Sequence, residues 1–330
     1  MIAVEAGISI EKVKEIVSNV TAKHTIENVA FVGCGASKSE LYPGKYFLAN
    51  ASKKLRVAHY TASEFNTDTP DWLGDTTVVI TASLGGTTPE TVKANSVAKA
   101  AGAAVIAVTH AAGSPLTVEA DYSIVHGFEA NYAAKLEKMG YVMALALEIL
   151  QQVEGYDRYE QMLAGFDKVF ELAENSAQSA RKAAKEFAAK YADAPVIYVM
   201  SSGASVEVAY STSICLMMEM QWINSGSFHS GEFFHGPFEI VDKDVPFILL
   251  MNEGKTRSVD ARALTFLQRF DALTTVVDAK DYGLSSVAGD VATYFNPLVH
   301  TAVFRVYAEE LSYVRQHPLT KRRYMWKLEY

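Results

Sequence analysis

The sequence predicts an α/β protein built from two related halves, each a parallel sheet with helices on its faces. Three observations carry this. Short apolar runs ending in glycines alternate with helical stretches, the pattern of strands buried on both sides in a doubly wound sheet. At 330 residues the chain is longer than one core usually supports, roughly 250 to 300 residues. Finally, Gly35-Ala36-Ser37 recurs as Gly203-Ala204-Ser205, and Gly86 with Thr88 recurs as Gly254 with Thr256, both 168 positions on. One offset serving two motifs in matching strand–turn–helix context marks tandem related domains.

The elements follow in order. NVAFVGCG (28–35) is a buried strand ending in glycines, and a helix from Lys38 to Asn50 follows it. TTVVITAS (76–83) is a second strand, GGTTPETVKANSVAKAA turns into a helix, and AAVIAVTH (103–110) is the next strand. Residues 132–152 and 156–191 read as helical, with 177–194 an amphipathic structural helix. This places a first domain at 1–155, a helical connector at 156–192 and a second domain at 193–330. PVIYVMSSGAS (195–205) restarts the pattern, continuing with a helix to about Gln221 and strands at 245–251 and 274–279.

Composition narrows the function. The net charge is −8 with Lys and Arg scattered, which argues against a nucleic-acid partner. No uncharged apolar run reaches the ~18 residues that span a bilayer, and acids come too early in MIAVEAGISIEKVKE for a signal peptide, so no membrane partner and a cytoplasmic location are expected. Two cysteines, Cys34 and Cys215, are too few for a disulfide framework and are expected as small core side chains.

Two regions could carry chemistry. Ser83-Leu84-Gly85-Gly86-Thr87-Thr88-Pro89 places hydroxyls and glycines between a strand end and a helix start, with Thr88 as N-cap and Pro89 at N1. Backbone N–H groups and the helix dipole there suit a phosphate, although an ordinary capped turn needs only Thr88 and Pro89. Ser37 lies in the neighbouring glycine turn. In the second copy Met251 replaces Ser83 and Glu253 stands where an anion would sit, so that copy is expected to bind no phosphate. The other region, MEMQWINSGSFHSGEFFHGPFE, gathers Glu219, His229, Glu232, His235 and Glu239. Glu219 ends an apolar helix, either as a surface acid or as a carboxylate whose pKa burial raises; His235 precedes a Gly-Pro bend. His110 and His126 follow strands and face either a cleft or solvent. No His pair at i, i+4 and no HExxH is present, so no metal site is expected. The tail HPLTKRRYMWKLEY either folds Lys321, Arg322 and Arg323 over a site or docks its aromatics on the core.

Together the loops and the HGP segment resemble the sugar isomerase (SIS) family, whose members bind phosphosugars on tandem flavodoxin-like domains. Ser83 to Thr91 resembles the family's serine-rich phosphate loop, with Gly85 where a serine is common, and Ser37 matches the serine of its first glycine turn. Glu219 and His235, sixteen positions apart, are similar to the glutamate and HGP histidine of the isomerase half of glucosamine-6-phosphate synthase. Cys is absent from position 2, so ammonia transfer is not expected. SFHSGEFFHGPFEIVDKDVPF and the tail look most like deglycases of phosphorylated Amadori products. The resemblance implies hydrolysis of a 6-phosphofructosyl amino acid, first 6-phosphofructose-aspartate and alternatively fructoselysine 6-phosphate, to glucose 6-phosphate and the amino acid. A sugar-phosphate isomerase or a non-catalytic phosphosugar sensor are the other readings. The implied roles are Glu219 and His235 in catalysis, Ser37, Ser83, Gly86 and Thr88 on the phosphate, and Arg322 and Arg323 on a substrate carboxylate. No metal or organic cofactor is implied. A homodimer is, with His235 reaching the neighbour's site.

Overall fold

The computed structural model describes residues 6–287 and 289–329, and the chain divides into two compact units between Phe170 and Glu171. In the first unit, α1 (Ile10–Thr21) starts at Ser9, whose hydroxyl accepts from the Lys12 N–H. There follow β1 (Asn28–Gly33), α2 (Gly35–Ala51), β2 (Arg56–Thr61), α3 (Ala62–Thr67), β3 (Thr77–Ala82), α4 (Pro89–Ala100), β4 (Ala104–Thr109), α5 (Pro115–Val118), β5 (Tyr122–Val125) and α6 (Glu137–Val153). The strands form one parallel sheet in the order β2-β1-β3-β4-β5. The order reverses between β1 and β3, the crevice where such sheets place ligands. Every residue of β1, β3 and β4 is buried. Phe31, Ile80 and Ile106 are fully enclosed, each contributing roughly 1.5–3 kcal/mol of burial.

The 33-residue helix α7 (Tyr159–Tyr191) crosses the boundary between the units, so the segment expected as a separate connector is shared between them. The second unit continues with β6 (Val196–Ser201), α8 (Val206–Ser211), β7 (Asn224–His229), β8 (Pro246–Met251), α9 (Arg257–Arg269), β9 (Leu273–Asp278) and α10 (Asn296–Val314). Its sheet is also parallel, in the order β7-β6-β8-β9. The duplication is visible in the elements: β1 and β6 begin at 28 and 196, β2 and β7 at 56 and 224, and α4 and α9 at 89 and 257, each 168 apart. At the offset of β5 the second unit has a 3-10 turn, Gly289–Tyr294.

Several elements differ from the sequence reading. β2 and β7 escape it because they are edge strands, with exposed ends and only half-buried centres, so neither makes an apolar run. α2 starts at Gly35 rather than Lys38, because Gly35 at φ +52° turns the chain directly from strand to helix. Cys215 is buried, but Cys34 is only half-buried and its sulfur accepts from the Thr91 hydroxyl at 3.7 Å. Among the described residues no helix is long and apolar enough to cross a membrane.

Candidate active site

The loop of residues 83–88 joins β3 to α4. Gly86 has φ +64°, and a β-carbon on it would lie 2.0 Å from the Ser114 Oγ, so only glycine fits. Thr88 occupies the N-cap position with Pro89 at N1 but makes no capping hydrogen bond. Its hydroxyl faces the buried Ser83 Oγ at 2.9 Å instead. Leu84 O accepts from the His110 N–H at 3.0 Å and from the Thr109 Oγ1 at 3.0 Å, and Gly86 O from the Leu116 N–H at 3.0 Å. These bonds occupy the Leu84 and Gly86 carbonyls within the protein. Among the described residues no acceptor takes the N–H groups of Gly85, Gly86, Thr87 or Thr88. Two hydroxyls bonded to each other, four backbone N–H groups and a helix N-terminus are the kind of donor set that an anion uses.

Ser37 lies in the first turn of α2. Its hydroxyl accepts from the Lys138 Nζ at 3.0 Å, and Lys138, almost fully buried, also pairs with the Glu40 carboxylate at 2.6 Å. Sequence reading missed Lys138 because its partner Ser37 is 101 positions away; the available signal was a Glu-Lys pair opening a largely apolar helix. His126, after β5, is buried. Its Nδ1 donates to the Gly127 carbonyl at 2.6 Å, and its Nε2 has no partner. Burial, with the Lys138 and His110 charges, lowers its pKa to about 4, so it is neutral near pH 7. His110 is exposed, and its Nδ1 donates to the His126 carbonyl at 2.8 Å.

In the second unit α8 passes into a π-helix, Thr212–Gln221, that carries Glu219 near its end; such widened turns are rare and concentrate at functional sites. Trp222 closes it in the left-handed region at φ +56°, its N–H reaching the Met217 and Met218 carbonyls. A glycine would hold this conformation without the roughly 1–2 kcal/mol an L side chain costs. Glu219 and Trp222 line an open cavity of about 670 Å³ with Met218, Arg322, Arg323 and Tyr324. Glu219 is not the isolated carboxylate in apolar surroundings that the sequence allowed: its Oε1 meets the Arg322 Nη2 at 2.6 Å. The tail therefore does fold onto a candidate site, while Tyr324, Trp326 and Leu328 stay exposed rather than docking on a core.

His235 sits on a turn pinned by the fully buried Phe233, which packs edge-on against Phe247 and Phe266. Gly236 follows at φ +135°. On this chain His235 is exposed and does not line the Glu219 cavity. His229 accepts the Gly231 N–H on its Nδ1 at 2.9 Å and so braces the same turn; Glu232 and Glu239 are exposed. Among the described residues no group of three His, Cys, Asp or Glu could hold a metal ion.

The second glycine loop is filled by its own protein. Thr256 occupies the space over Gly203, where a β-carbon would meet its Oγ1 at 2.6 Å. The Asn252 N–H donates to buried Asp260 at 3.0 Å and the Glu253 N–H to Asn296 Oδ1 at 2.7 Å. Ser230 donates to Asp260 at 2.7 Å. Desolvation by burial raises the Asp260 pKa although these donors oppose it.

Comparison with known proteins places this architecture. The SIS domain model matches residues 23–148. The chain is 42% identical to fructosamine deglycase FrlB of Bacillus subtilis, over 93% of both chains. It is 27% identical to a fructoselysine 6-phosphate deglycase of Escherichia coli, over 78% of this chain and 74% of that one. A crystal structure from Salmonella typhimurium, described as a candidate phosphosugar isomerase, superposes with a TM-score of 0.94 at 43% identity, covering 97% of this chain and 99% of that one.

Proposed function

The chain belongs to the SIS domain family, and from that premise we propose that it is a deglycase that cleaves the C–N bond of a 6-phosphorylated fructosamine, with 6-phosphofructose-aspartate as substrate. The relatives named for fructosamine and fructoselysine 6-phosphate deglycation support the reaction class. The observation that carries the reading is Glu219 on the wall of a cavity whose volume, about 670 Å³, suits a small ligand of this size. The exposed Arg323 on the same wall favours an amino acid with a side-chain carboxylate over a lysine adduct.

In this mechanism the 83–88 loop and Ser37 hold the phosphate, an anchor remote from the reacting bond whose binding energy orients C1 and C2. After ring opening exposes the C2 ketone, Glu219 takes a proton from C1 and returns it at C2. This converts the aminoketone through an enaminol to a C1 imine. Water adds to the imine carbon and the C–N bond breaks, releasing glucose 6-phosphate and the amino acid. His235 assists ring opening and proton delivery. Because His235 is exposed away from its own chain's cavity, it acts in the site of a second copy in a homodimer. The protein operates in the cytoplasm as a hydrolase.

The test is glucose 6-phosphate release. Glu219→Gln and His235→Ala each lower kcat by about 100-fold or more, with an unchanged Tm, as removal of a proton-transferring group does. Mixing the two inactive variants restores part of the activity through mixed dimers with one intact site. Full activity of either variant refutes its role, and no recovery on mixing refutes the shared site.

A further inference from the structure

Arg322 and Arg323 are neighbours in sequence with opposite surroundings. Arg322 is buried, and both its terminal nitrogens are engaged: Nη2 on Glu219 at 2.6 Å and Nη1 on the Leu319 and Lys321 carbonyls at 2.7 and 3.0 Å, while its Nε is buried with no described partner. Its own carbonyl accepts from the Lys327 Nζ at 2.6 Å. Arg323 is exposed; its guanidinium lies 4.4 Å from the Trp222 ring centre and 6.0 Å from that of Tyr324. Among the described residues no acceptor takes its N–H groups. Both arginines line the cavity that holds Glu219.

We infer that the two arginines have separate tasks in the reaction proposed above, on which this inference rests: Arg322 is a positioning residue for Glu219, and Arg323 determines specificity by taking a carboxylate of the substrate's amino-acid part. Arg322 cannot do both, since its two terminal nitrogens are committed to one carboxylate oxygen and two carbonyls and its remaining Nε is buried out of a ligand's reach. By holding Oε1 it fixes the carboxylate plane, so that Oε2, which no described donor takes, is the oxygen that moves the proton. Arg323 is arranged for the opposite purpose. A guanidinium held over an indole ring, with no described acceptor on its N–H groups, keeps an edge free for bidentate recognition of a planar anion. Trp222, turned into the cavity wall by its left-handed backbone at the end of the π-helix, is the platform that holds that edge in place.

Glucose 6-phosphate release is measured on two substrates, 6-phosphofructose-aspartate and 6-phosphofructosyl-ethylamine, which has no carboxylate. Arg323→Gln raises KM for the aspartate compound about tenfold more than for the ethylamine compound, the usual scale for one hydrogen bond to a charged group. Arg322→Ala lowers kcat about 30-fold or more on both compounds alike, with KM little changed, as loss of general-base geometry does. Arg322→Lys, which keeps a charge on the tail, and millimolar guanidinium added to Arg322→Ala each recover part of kcat. Equal KM effects of Arg323→Gln on the two compounds, or an Arg322→Ala loss confined to KM of the aspartate compound, overturn the assignment. So does failure of both the lysine variant and guanidinium to recover kcat. If the wild type releases glucose 6-phosphate from neither compound, it is the deglycase reading that falls, and this inference falls with it.

Discussion

The two glycine loops descend from one pattern and have opposite fates. Over Gly35 a β-carbon would meet nothing within 4 Å, whereas over Gly203, at nearly the same φ, it would strike Thr256. The Gly85 N–H has no described acceptor, while its counterpart on Glu253 is taken by Asn296. Ser37 receives a buried ammonium from Lys138, and Ser205 donates to the imidazole of His300, 2.8 Å away. Each contact in the second unit does internally what a bound anion would do in the first. Unspent donors in the first loop are what the proposed phosphate site needs, and in the second a few side chains long enough to reach them have taken them up.

The sharpest way to break this comparison is acid. His300 is fully buried, its Nε2 donates to the Met251 carbonyl at 3.2 Å, and burial lowers its pKa to about 4. An unfolded histidine titrates near 6.5, so as pH falls from about 6.5 to 4 the unfolded chain gains a proton the native state refuses. This removes up to about 3 kcal/mol of stability, all present above pH 6.5. His126 adds its own loss over the same window. His300→Gln is expected to flatten the stability–pH curve by its own share, measured by urea unfolding at pH 7 and pH 4.5; an unchanged slope would show His300 is not held neutral.

Next in size is the donor loop. Ser83→Ala with Thr88→Ala is expected to raise KM for a phosphorylated fructosamine about 30-fold, on the scale of two hydroxyls lost from an anion. The unphosphorylated compound should barely respond, and equal shifts on both compounds would reduce the loop to a structural turn. The smallest effect tests the closed copy. Thr256→Ala should leave KM within about twofold and lower stability by about 1 kcal/mol, read from KM and urea midpoint together; a large KM change would mean the second loop also binds substrate.

The sequence by itself determined the strands buried on both sides, whose apolar runs need no context, and the duplication, which one offset revealed in loops and elements alike. It also marked Ser83, Thr88 and Glu219, because glycine turns, strand ends and an acid closing an apolar helix are local features. Tertiary structure decided the rest. Edge strands β2 and β7 exist only because β1 and β6 pair with them, and half-buried strands leave no apolar signature. Thr88 looks like a cap until Ser83 is seen opposite it. The Lys138 contact to Ser37 and the Arg322 contact to Glu219 join residues about a hundred positions apart. A partner at that distance is chosen by which ends of strands and helices the sheet brings together, and no local spacing encodes that choice.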